Sequence, residues 1–131
     1  VTWQCLLQAI DLVRPGQNFN AIGAVIEQLG KGHGYSIVRQ FTGHGIGEFF
    51  HMAPYVAHFF EPNNSAIMEE GMTFTIEPMI NQGRAAIDMS DDGWTVTTRD
   101  GKLSAQAEHT VLVTADGVEV LTLRTGERLP D

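Results

Sequence analysis

The chain has 131 residues, a formal net charge of -8 and 43% hydrophobic residues, which is enough to bury one modest core and too little for two ordinary domains. The acidic balance offers no basic patch to neutralise a run of phosphates, arguing against a nucleic-acid partner, and no apolar run approaches the roughly 20 residues that span a bilayer. The single cysteine, Cys5, excludes an internal disulfide and a multi-cysteine zinc site; with no leader pattern at Val1-Thr2-Trp3-Gln4, the cytoplasm is the expected location.

In chain order, Leu6, Leu7, Ile10 and Val13 recur at helical spacing and predict a first helix. Pro15-Gly16 closes it, because proline disfavours helical geometry in the residue before it. The pattern is already under way at Val1, so the chain reads as part of a longer frame. Asn18 as N-cap, with Phe19, Ile22, Val25, Ile26 and Leu29 on one face, predicts a second helix that Gly30, Gly32 and Gly34 stop. The period then falls to two, and strands are expected over 36–39, 72–77, 94–98, 105–113 and 118–123. Asp116-Gly117, between the last two, predicts a tight hairpin with positive φ angles. Together these elements make an α+β unit, an antiparallel sheet covered on one face by two helices, with no repeat or linker dividing residues 1–131.

Three histidines and two glutamates carry the chemistry. His44 stands among Gly43, Gly45 and Gly47, a setting that suits a sharply bent, accessible backbone and equally a glycine-rich turn with an incidental histidine. His51 and His58 follow beside aromatic residues, where histidine commonly serves as polar core filler. Along 72–77, Thr73, Thr75 and Glu77 share one face, and Pro78 marks the end of the ladder, as at the rim of a pocket. Glu108 falls inside the β-branched run 104–113, so two inward carboxylates on neighbouring strands are expected; they repel unless cations neutralise them. His44, Glu77 and Glu108 form a candidate metal set of imidazole and carboxylate donors, which suits manganese, iron, cobalt or zinc better than magnesium or calcium. A salt-bridged core is the structural alternative.

Gly43-His44-Gly45-Ile46-Gly47, Phe50-His51, Phe74-Thr75-Ile76-Glu77-Pro78, Asp92-Gly93-Trp94-Thr95-Val96 and Ser104-Ala105-Gln106-Ala107-Glu108-His109-Thr110 occur in the order and spacing of one family. Through them the chain resembles the type I methionine aminopeptidases of the pita-bread fold, over essentially its whole length. The resemblance implies the C-terminal half of the catalytic domain. It makes His44 and Glu77 ligands of one metal and Glu108 a bridge between two. Glu77 would also shuttle a proton, His51 would hydrogen-bond the substrate, Phe50 and Trp94 would line the methionine pocket, and Gln106 would lie near the metals without binding one. The substrate implied is a peptide or nascent-protein N-terminus beginning with Met, and the cofactor is a pair of divalent ions, cobalt, manganese, iron or zinc.

The sequence also departs from that pattern. The family brings two aspartate ligands and a further histidine from a region preceding the one matched here, and Asp11 is no substitute. At most one metal, weakly held, is expected on this chain alone, with little or no activity. The uncovered half-domain surface suggests a homodimer. The competing readings are a non-catalytic pita-bread interaction module and a relative of the proline-specific dipeptidases.

Overall fold

The computed structural model describes residues 1–127 and 129. Helix α1 (Thr2–Ile10) buries Cys5, Leu6, Ala9 and Ile10. It stops before the expected Pro15-Gly16 breaker, and Val13 reaches the core from the turn that follows. Helix α2 (Asn20–Gly32) buries Ile22, Gly23, Ile26 and Gly30. Its N-cap is Phe19, one residue later than the pattern implies, and Asn18 still serves the helix start by accepting the Asn20 backbone N–H at 2.7 Å.

The strands are β1 (Ser36–Ile37), β2 (Gly43–Gly45), β3 (Met52–Val56), β4 (Thr73–Ile76), β5 (Met79–Asn81), β6 (Ile87–Met89), β7 (Val96–Thr98), β8 (Ser104–Gln106), β9 (His109–Val113) and β10 (Val118–Val120). Instead of one sheet they form three: a five-stranded sheet ordered β10-β9-β4-β2-β3, a three-stranded sheet ordered β1-β5-β8, and the β6-β7 hairpin. Every described pairing is antiparallel. The helices pack on each other, α1 against β4 and β8 and α2 against β1, so one helical layer covers both larger sheets. Phe19, Ile22 and Ile26 meet Phe74, Ile76, Val111 and Val113 in that core, with Phe19 edge-on to Phe74 at 4.9 Å.

Where the two larger sheets meet matters most for the site. The expected strand 105–113 is two strands: β9 pairs with β4 through Ile76↔His109, and β8 pairs with β5 through Met79↔Gln106. Glu77-Pro78 and Ala107-Glu108 face each other across the gap. Proline has no N–H for a ladder, so the pairing breaks there and the strands change sheets. The expected tight hairpin at Asp116-Gly117 also differs. Thr114 donates its N–H to the Gly117 carbonyl at 3.0 Å, closing a four-residue connection in which Gly117 does not take positive φ.

Two polar clamps hold the segment after β3 to α2. Glu27, on α2, accepts from the Phe60 backbone N–H at 3.0 Å and pairs with Lys31 at 2.8 Å and Arg39 at 2.7 Å. Asn20 donates to the carbonyls of Glu61 and Asn64 and accepts the Glu61 N–H. Between β3 and these clamps lies His58, fixed from both sides.

Candidate metal centre

Strand β2 carries His44 inside the five-stranded sheet, between the edge strand β3 and the central strand β4. The glycines on either side are there for close approach and not for a bend: neither Gly43 nor Gly45 takes positive φ. A Cβ at Gly43 would run into the Thr75 carbonyl, and one at Gly45 into the Ala53 carbonyl. His44 is 7% exposed. Its Nδ1 lies 3.0 Å from the Gly45 carbonyl, which can only accept, so the neutral ring carries its proton on Nδ1 and its lone pair on Nε2.

That lone pair faces Glu77: His44 Nε2 is 3.4 Å from Glu77 Oε1. Thr75 links the two residues, its hydroxyl accepting the His44 backbone N–H at 3.0 Å and donating to Glu77 Oε1 at 2.8 Å. On the other side Gln106 Nε2 donates to Glu77 Oε2 at 3.3 Å. Burial makes Glu77 reluctant to ionise and raises its pKa; the Thr75 hydrogen bond opposes this, the Glu108 charge adds to it, and His44 and His51 oppose it more weakly.

His51 lies in the bend between β2 and β3, which folds it back over His44 with ring centroids 4.2 Å apart. Phe50 stacks edge-on to His51 at 4.6 Å and is itself 70% exposed. Trp94 lies in the β6-β7 connection, 87% exposed, where Asp92 accepts the backbone N–H groups of Trp94 and Thr95. Trp94 and Phe50 therefore stand on the surface, and among the described residues no aromatic pair joins them.

Glu108 corrects one expectation. It is exposed instead of inward, because it occupies the break between β8 and β9, where no ladder fixes its direction. Its charge is felt at Glu77, yet among the described residues no three His, Cys, Asp or Glu side chains gather closely enough to hold a metal ion. Gln106, Glu108 and His109 instead line an open cleft of about 650 Å³, bounded opposite by Thr2, Trp3 and Arg124. The donors present fit a transition metal in kind, a neutral imidazole beside a carboxylate, and fall short in number.

One residue set aside by sequence reasoning belongs to this cluster. His58, 1% exposed, accepts the Glu77 backbone N–H on Nε2 at 3.1 Å, and burial lowers its pKa to about 4, which keeps it neutral and able to accept. A histidine among aromatics in sequence gives no sign of a partner 19 residues away.

Residues 1–115 match the family model for metallopeptidase family M24. The chain belongs to family M24. Within that family, methionine aminopeptidase A of Synechocystis is 50% identical over 123 residues, covering 94% of this chain and 49% of the relative. The methionine aminopeptidase of Escherichia coli K12 is 46% identical over 130 residues, covering 99% of this chain and 49% of the relative. The crystal structure of methionine aminopeptidase from Rickettsia prowazekii superposes with a TM-score of 0.89 at 47% identity, over 93% of this chain and 50% of that one. The α+β architecture is thus that of half a pita-bread fold, and the chain spans about half the length of the curated relatives it matches.

Proposed function

We propose that the chain is the C-terminal half of a type I methionine aminopeptidase and contributes His44, Glu77 and Glu108 to a metal centre whose other donors lie outside it. The observation that carries this is the 3.4 Å approach of His44 Nε2 to the part-buried Glu77 carboxylate. Two groups that both offer electron pairs do not settle side by side without a proton or a cation between them.

Divalent ions such as cobalt, manganese, iron or zinc, held there, supply the charge that polarises a peptide carbonyl and acidifies water. The remaining chemistry falls to side chains. Glu77, whose pKa burial raises, is suited to take up and return a proton. His51, edge-on to His44 and open to solvent, would hydrogen-bond the substrate backbone. Phe50 and Trp94 offer exposed aromatic surface to a methionine thioether, which makes favourable contacts with aromatic edges. The site of action in this reading is the cytoplasm.

Hydrolysis assays separate the candidates. The chain alone, loaded with cobalt or manganese, is expected to release no methionine from Met-Gly-Met, whereas the polypeptide from the full reading frame is expected to do so and to leave Xaa-Pro peptides intact. Cleavage of Xaa-Pro peptides alone favours a proline-specific dipeptidase, and no cleavage by the full-frame product favours an interaction module. Methionine release by the isolated chain contradicts the shared centre.

The same reading gives the exposed apolar side chains a cover. Leu103 is 75% exposed and Phe49 63%, apolar surface that water meets in the chain alone. We assign that surface to the complementary half of the longer protein, and to a second copy when the chain stands alone. Light scattering should then report a dimer, and a stable monomer at high concentration removes the second-copy assignment.

A further inference from the structure

We propose that Thr75 and His58 are positioning residues that hold the Glu77 carboxylate against His44 Nε2, an inference that rests on the metal centre proposed above. A glutamate side chain has three rotatable bonds, and at the end of a strand nothing intrinsic selects the rotamer that meets His44. Beside the 3.3 Å bond from Gln106 to the carboxylate, two contacts act on it here.

The first is the Thr75 hydroxyl. It has one proton to give. Its oxygen accepts the His44 backbone N–H at 3.0 Å, and the remaining direction sends the proton to Glu77 Oε1 at 2.8 Å. The His44 backbone and the Glu77 carboxylate are thereby tied to one oxygen, which opposes a shift of β2 against β4. Thr75 is 1% exposed, and its β-branched side chain is stiff about χ1, which fixes the direction of the hydroxyl.

The second is the His58 imidazole. The β4–β9 ladder ends at Ile76↔His109, so the Glu77 N–H lies beyond the last described pair. His58 Nε2 takes that proton at 3.1 Å and fixes the backbone from which the carboxylate projects. The segment that carries His58 is tied to α2 by the clamps on the Phe60 and Glu61 backbone. Outer hydrogen bonds of this kind orient a ligand and tune it without touching the metal.

The test uses cobalt binding by the full chain, followed by calorimetry and by the visible absorption of the ion, in folded protein checked by circular dichroism. Thr75→Val and His58→Leu are expected to weaken binding roughly 10- to 100-fold, while Thr75→Ser, which keeps the hydroxyl, stays near the unmodified chain. Folded Thr75→Val and His58→Leu variants that bind cobalt as tightly as the unmodified chain overturn the proposal.

A metal-free readout keeps the two readings apart and does not depend on the variants folding. In the unmodified chain, NMR couplings should report one Glu77 rotamer and a through-hydrogen-bond coupling between the Glu77 amide and His58 Nε2. Several Glu77 rotamers, or no such coupling, overturn the positioning whether or not cobalt binds. If both NMR signatures are present and cobalt binding is absent or indifferent to His44→Ala, the metal centre fails and the positioning of Glu77 stands as geometry alone.

Discussion

Glu77→Gln in the full-frame polypeptide is expected to lower kcat for methionine release by roughly 10²- to 10⁴-fold, the range that a positioned acid–base group contributes. Glutamine keeps the length and shape of the side chain, so Thr75 can still donate to its amide oxygen, Gln106 can turn its own amide to accept from the NH2, and the strand end keeps its fold. It loses the charge that complements a cation and the ability to take up a proton. Both losses act on the reaction and neither on packing, so the thermal transition should shift little while the rate collapses. The check is the rate of methionine release beside a melting curve. A rate within a few-fold of the unmodified enzyme would remove Glu77 from the chemistry, and a collapse of both rate and melting temperature would make its role structural.

Gly43→Ala is expected to destabilise the chain by roughly 3 kcal/mol, at the upper end of the cost of overpacking a tight interior. The added methyl would meet the Thr75 backbone carbonyl and the Val56 Cβ, on the strands to either side. Backbone cannot rotate out of the way as a side chain can, so β2 has to move away from β4. His44 and Thr75 sit on those two strands, and the link from the His44 N–H through the Thr75 hydroxyl to Glu77 should break with them. Gly32→Ala is the control, since nothing lies within 4 Å of its added Cβ and alanine favours the helix it joins. Urea denaturation of both variants tests the contrast. Equal midpoints would mean that the sheet tolerates the methyl and that the close approach around His44 is not needed.

The glycines around His44 also show where the sequence is legible and where it is not. The helices follow from their apolar spacing, and β4 from its alternation closed by Pro78, because those patterns are local. Gly43 and Gly45 point to a turn when read locally, since glycine permits a bend and a close approach equally and only the neighbouring strands decide. Similarly, 105–113 has no glycine or proline to mark a break. The interruption at Ala107-Glu108 comes from Pro78 on the facing strand, which ends the ladder for both. Glu108 therefore belongs to the right region, and its inward direction was beyond reach because it depends on that partner. His44 and Glu77 could be named as a pair from residue chemistry, whereas Thr75 and His58 emerge only when β2, β4 and the segment after β3 are seen together.

The most direct measurement is anomalous scattering from crystals of the chain grown with cobalt or manganese, with data collected at the metal edge. The expected result is a peak within bonding distance of both His44 Nε2 and a Glu77 carboxylate oxygen. A chain saturated with metal whose only peaks lie elsewhere, leaving His44 and Glu77 bound to each other alone, would contradict it.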